Sequence, residues 1–288
     1  MGKIRIVTDS TGDIPRELRE QYDIRMVPLK VHFGDQMYMD SITIEPAQFY
    51  ELLVTSEKLP TTSQPSPLDF SELYKELLAD PDTEIISIHL SAAMSGTYQS
   101  AMLAKSMIED LDASYEDRLT IVDSKSASYG FGQMVVMAAR LAEQGTSKDG
   151  ILEAITRFQQ ERKLYFLVDT LKFLQKGGRI GKASAVLGTL LNVKPILSID
   201  AEGEVYAVDK VRGQKKAVSR VVELFKKDFE GKRIHIAAGY ATERSVMEDV
   251  IAQMREQFDV ASVEYTTIGS VIGTHVGPGV VAIFVTPI

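Results

Sequence analysis

Hydroxyl-bearing residues gather wherever this 288-residue sequence reads as the end of a strand. Strand-like IRIV (4–7) runs into Asp9, Ser10 and Thr11, and the loop 60-PTTSQPSP-67 carries Thr61, Thr62, Ser63 and Ser66. A third strand ends at Ser91 and opens onto Ser95-Gly96-Thr97; a fourth ends in Asp123, Ser124, Ser126 and Ser128. In an open parallel sheet, ligands bind beyond the carboxyl ends of the strands. Ser95 is placed to cap the helix that follows, Gly96 leaves room near its first-turn amides, and those amides with the helix dipole favour an anion. The pattern asks for a small anionic head group held by hydroxyls, with Thr62, Ser63, Ser95, Gly96 and Thr97 as its candidate holders. Read as turn formers alone, the same residues would carry no function.

Other chemistries fit less well. A serine hydrolase favours Gly-x-Ser-x-Gly, whereas Ser95 stands in Ala-Met-Ser-Gly-Thr, and His89 reads as a core residue within a strand. The stretch 177-GGRIGKAS-184 resembles a phosphate loop, but Gly177 and Gly181 are too close and Ala183 follows Lys182. The stretch 130-GFGQMV-135 lacks the third dinucleotide glycine. Asp9 and Asp13 are a poor metal pair by themselves, and no histidine or carboxylate cluster has metal spacing, so neither cofactor nor metal is expected.

The elements that must position these residues alternate in the first half. Helices are expected at 14–22, 46–56, from Ser66 with Pro67 in its first turn, 95–111, 129–144 and 149–162. Strands are expected at 84–90 and 119–124, and short strands within 26–44. This is the rhythm of a parallel sheet covered by helices. The second half reads as strands at 163–170, 194–200, 205–211, 233–240, 260–266 and 280–286. Helices are expected there at 182–192, 214–229 and 243–257, and a hairpin at 201–204. We expect an α/β protein of two domains, 1–165 with a parallel sheet and 166–288 with a mixed or antiparallel sheet. The net charge of −8 disfavours nucleic acid as a partner. The absence of cysteine removes disulfides and thiolate chemistry. No signal-like or membrane-spanning run is apparent, so a cytoplasmic protein without integral membrane association is expected, and a monomer.

The motifs 8-TDST-11, 60-PTTSQPS-66, 91-SAAMSGTYQSA-101, 123-DSKSASYGFG-132, 171-LKFLQKGGRIG-181, 194-KPIL-197 and 275-HVGPG-279 closely resemble the DegV family, in order and from about residue 3 to the C-terminus. The resemblance implies a buried long-chain fatty acid such as palmitate, its carboxylate held by Thr62 and Ser95 and closed over by His275. It also implies that Arg179 lies at the contact with an ATP-dependent fatty-acid kinase subunit, which phosphorylates the carboxylate and feeds lipid metabolism. On that reading the chain is a carrier and not itself an enzyme. Candidate tunnel residues are Met94, Met102, Met107, Phe131, Met134, Met137, Phe166, Leu167 and Phe173. The alternatives are a serine-dependent esterase or acyltransferase using Ser95 with His275 as base, and a lipid-responsive regulatory protein.

Overall fold

The computed structural model describes residues 2–188 and 193–288. The chain opens with β1 (Lys3–Asp9), a 3₁₀ turn at Ser10–Gly12, α1 (Arg16–Gln21), β2 (Arg25–Val27), β3 (Lys30–Phe33) and β4 (Gln36–Met39). There follow α2 (Pro46–Thr55), β5 (Thr61–Ser63), α3 (Pro67–Leu78), β6 (Thr83–His89), α4 (Thr97–Glu109), β7 (Leu119–Asp123), α5 (Tyr129–Glu143) and α6 (Lys148–Glu161). The second half holds β8 (Lys163–Leu167), α7 (Lys172–Lys176), β9 (Val193–Ile199), β10 (Val205–Arg212), α8 (Gln214–Phe229) and β11 (Arg233–Tyr240). It ends with α9 (Ser245–Gln257), β12 (Asp259–Thr267), α10 (Ser270–Val276) and β13 (Val281–Pro287).

The described residues form three sheets. The first, in the order β2-β1-β6-β7, is parallel throughout. The second, β10-β9-β8-β13-β11-β12, is mixed: β11 and β12 run parallel and the other neighbours antiparallel. The third is a small antiparallel sheet, β4-β3-β5, within the first half. The α/β class and its parallel-plus-mixed sheets thus match the pattern read from the sequence. We propose a division into two units near residue 165. β8 spans that number and pairs wholly within the second sheet.

The apolar clusters show how the layers stack. Helices α3 and α4 cover the outer face of the parallel sheet through Phe70, Tyr74, Leu77, Ala101, Ala104 and Ile108. Helices α8 and α9 cover the outer face of the mixed sheet through Val218, Val222, Phe225, Met247 and Val250. Between the sheets lies one core shared by both halves, in which α5 packs with residues of β6, β8 and β13. A helix apolar around its whole circumference belongs in such a place, and α5 buries Tyr129 through Val136 without a break.

Local signals explain the well-predicted ends. Ser66 and Asp69 form a reciprocal capping box at the start of α3, with Pro67 at the first helical position. Elements among the described residues that were not expected include β5 inside the 60–67 loop, the short helices α7 and α10, and a 3₁₀ segment at Ala113–Arg118. The expected helix over 182–192 is instead a 3₁₀ segment at Gly181–Val186, and its last four positions lie outside the described residues. Among the described residues, no helix is long and apolar enough to cross a membrane.

Candidate functional site

The core shared by the two sheets is not full. A cavity of about 350 Å³ lies within it, inside the ~300–1,000 Å³ range of small-molecule sites. Its body is aliphatic and aromatic. The mixed sheet contributes Leu164, Phe166, Ala282 and Phe284, the β9–β10 pair contributes Ile199 and Val205, and α10 contributes Val271, Ile272 and Val276. Polar residues line it from four segments: Thr62, Ser63 and Gln64 from β5 and its end, Ser95 before α4, Arg179 after α7, and His275 on α10. Ser128 adds a hydroxyl on the wall formed by the start of α5.

The polar group is interlocked. Thr62 Oγ1 lies 2.9 Å from His275 Nε2, and Ser63 Oγ lies 2.9 Å from His32 Nε2. Arg179 is exposed at the edge of the site, where Nε donates to the Met94 carbonyl (3.0 Å) and Nη1 to the Gly177 carbonyl (2.7 Å). It thereby ties the Ser95 turn to the loop after α7. Burial, with Arg179 nearby as a second cause, lowers the His275 pKa to about 4. The imidazole is therefore neutral near pH 7, and its Nδ1 is buried without a partner. Arg179 is the cation lining the cavity.

The expected head-group residues separate here. Thr62, Ser63, Ser95 and His275 line one cavity although they come from segments far apart in sequence, and Arg179, expected at a partner contact, lines it too. Thr97 is fully buried, its hydroxyl 2.9 Å from Ser95 Oγ, and it does not face the cavity. Ser95 Oγ also accepts from the Thr97 amide (3.3 Å), while Gly96 holds the helix-cap position. The space over Gly96 is filled by the Gln64 side chain, whose Oε1 lies 2.2 Å from where a Cβ would stand. Gln64 is anchored in turn by Nε2 donating to Ser100 Oγ (2.9 Å). Sequence reasoning overlooked Gln64 as a lining residue, although it stands within the same motif as Thr62.

The crowd of strand-end hydroxyls is mostly internal. Thr11 Oγ1 donates to Asp9, Ser10 Oγ accepts from the Leu29 amide, Ser91 Oγ donates to the Gly203 carbonyl, and Ser124 pairs with Ser126. His89 is a core residue as expected, its ring bridging Asp9 Oδ2 (3.1 Å) and Ser87 Oγ (2.7 Å). Of the candidate tunnel residues, Met94 and Phe166 line the cavity. The others do not. Met102 and Met107 are exposed on α4, Phe131 and Met134 are packed core, and Met137 borders a separate groove. Leu167 points to the opposite face of its sheet, and Phe173 packs beside the core. Alternation along β8 explains one of these: Phe166 and Leu167 must face opposite ways.

Ser95 Oγ pairs with Thr97, and His275 Nε2 with Thr62, so these two side chains do not form a nucleophile–base pair. Among the described residues, no group of histidines and carboxylates could hold a metal ion.

A family model described as "Uncharacterised protein, DegV family" matches residues 3–287. A DegV domain-containing protein from Caldanaerobacter subterraneus is 35% identical over 287 residues, covering 99% of both chains. A solved structure of a DegV family protein from Thermus thermophilus, described by its fatty acid binding, matches with a TM-score of 0.91 at 36% identity. That match covers 99% of this chain and 100% of the other. The structure of DegV from Bacillus subtilis, described as a fatty acid binding protein, matches with a TM-score of 0.87 at 35% identity over the whole of both chains.

Proposed function

The chain belongs to the DegV family, and on that premise we propose that it binds one long-chain fatty acid and carries it to a partner that acts on the carboxylate. The observation that supports this reading is the form of the cavity: an apolar body with hydroxyls, an imidazole and a guanidinium gathered among its lining residues. Each methylene removed from water contributes roughly 0.8 kcal/mol, so an acyl chain supplies ample driving force. The difficulty is the carboxylate, whose burial without partners would offset much of that gain. In this reading Thr62 and Ser95 donate to the carboxylate oxygens. Neutral His275 holds Thr62 in place, and Arg179 supplies the compensating charge through charge-assisted hydrogen bonds.

The carboxyl end then lies beside Arg179, which is exposed, while the tail lies between the two sheets. That orientation suits a carrier that offers its ligand's head group to a second protein. We propose an ATP-dependent kinase as that partner, with Arg179 within the contact and an acyl phosphate as the product. The chain itself has no role in phosphoryl transfer in this reading. Denaturing extraction of the purified protein, followed by mass spectrometry of the lipid fraction, tests the binding step. We expect a long-chain fatty acid near one equivalent per chain. Recovery of no lipid, together with no binding of added palmitate, would overturn the proposal.

A further inference from the structure

Thr62 and Ser95 stand in separate segments, so a carboxylate held by both depends on the spacing between them. Each is fixed locally. Thr62 Oγ1 lies 2.9 Å from His275 Nε2 on α10, and Ser95 Oγ lies 2.9 Å from Thr97 Oγ1 at the start of α4. Neither contact joins one hydroxyl's segment to the other's. Among the described residues, the segments 60–66 and 91–100 are joined by one hydrogen bond, in which Gln64 Nε2 donates to Ser100 Oγ (2.9 Å). Gln64 stands two residues past Thr62 and, like it, lines the cavity; the Ser63 hydroxyl between them meets His32 on β3 (2.9 Å). Ser100 is buried in the first turn of α4, where its amide donates to the Gly96 carbonyl (2.8 Å), so the anchor is tied to the turn that carries Ser95.

The Gln64 amide is also packed against that turn. A Cβ on Gly96 would stand 2.2 Å from Gln64 Oε1 and 2.7 Å from Nε2, and the three nearest atoms all belong to Gln64. The glycine of the Ser-Gly-Thr turn thereby makes room for a side chain of the protein itself. We propose that Gln64 is a positioning residue: seated on Gly96 and anchored at Ser100, it holds the Thr62 segment to the Ser95 turn and sets the spacing of the two hydroxyls for a head group with two oxygens. The inference rests on the fatty-acid reading above. Holding two donors at their bound spacing before the ligand arrives removes an ordering cost from binding. A carboxylate, with two acceptor oxygens, gains from that spacing. A head group with one oxygen gains little.

The test uses delipidated full-length protein titrated with palmitate and with hexadecan-1-ol, which has a single head-group oxygen. Gln64→Ala should weaken palmitate binding about fivefold, the size expected for one ordinary hydrogen bond, and change hexadecanol binding little. Ser100→Ala removes the other end of the tie and should cost the same, with the double variant no weaker than either single one. In a Ser95→Ala background one hydroxyl is left to place, and Gln64→Ala should have no further effect. Gly96→Ala drives a methyl into the Gln64 amide, so it should weaken palmitate binding by itself and do nothing more in a Gln64→Ala background. Unchanged palmitate binding by Gln64→Ala overturns the proposal. So do equal losses of both ligands, which mark a purely structural role, and so do additive losses in any of these double variants. If the unsubstituted protein binds no palmitate, the fatty-acid reading itself falls, an outcome distinct from all of these.

Discussion

At the scale of single residues, the acids at the start of α10 show how burial sets charge. Asp40 is 1% exposed; its Oδ1 accepts from the Ser270 amide at the start of α10 (3.2 Å), and its Oδ2 has no partner. Burial raises its pKa to about 6, and burial also raises Asp13 beside it, against the opposing effect of its Ser128 hydrogen bond. A carboxyl group whose pKa is raised on folding binds its proton more tightly in the folded state. Its contribution to stability is therefore complete below about pH 4 and is lost as the pH rises toward about 6. The loss amounts to about 3 kcal/mol for a shift of this size. Asp40→Asn keeps the acceptor for Ser270 and removes the titration. Relative to the unsubstituted protein, it should gain stability from about pH 4 to about pH 6 and then level off, as read by urea denaturation at a series of pH values. A difference that does not vary with pH would contradict this account. The sequence did not reveal this pair, because Asp13 and Asp40 come from separate segments and are brought together against Gly269. Thr62, Ser95 and His275 were named together only through the resemblance of their motifs to the DegV family, and all three line the cavity. The surplus hydroxyls misled because serine and threonine serve turns as readily as ligands.

At the scale of elements, long periodic segments were readable and short tertiary ones were not. The apolar stripe and capping box of α3 declare a helix without any partner. By contrast, α10 is a seven-residue helix from a stretch containing Gly269, Gly273 and Gly277, and its propensity is poor. Close packing holds it in place: Tyr50 donates to the Ile268 carbonyl (3.1 Å), and α2 approaches at Gly273. A Cβ at Gly273 would stand 2.6 Å from the Tyr50 hydroxyl and 2.7 Å from Phe49. Gly273→Ala should improve local helix propensity yet destabilise the protein by about 1–3 kcal/mol through overpacking. Because α10 carries Val271, Ile272, His275 and Val276 into the cavity, palmitate binding should weaken in the same variant. Thermal melting with and without palmitate reads both effects, and a variant with unchanged melting would show that α10 can shift freely against α2.

At the scale of the whole molecule, two sheets, each with helices on its outer face, leave a cavity in the shared core rather than an open crevice. This explains why the candidate methionines on the helices were a poor guide to the cavity's lining. The walls come largely from the inner face of the mixed sheet, and no local pattern reveals which sheet will stack over which. Ala282 on β13 is the small member of that wall, in register with Phe166 on β8. Ala282→Leu projects a larger side chain into space that the protein itself does not fill. If that space exists for an acyl tail, two observables must move in opposite directions. The delipidated protein should gain about 1 kcal/mol, as cavity-filling substitutions commonly do. Extracted lipid should shift to shorter chains or fall below one equivalent. An ordinary core position would behave otherwise, since overpacking destabilises and leaves lipid content to follow stability downward. Measuring urea stability and extracted chain length on the same preparation therefore separates a tail-binding cavity from a packing defect.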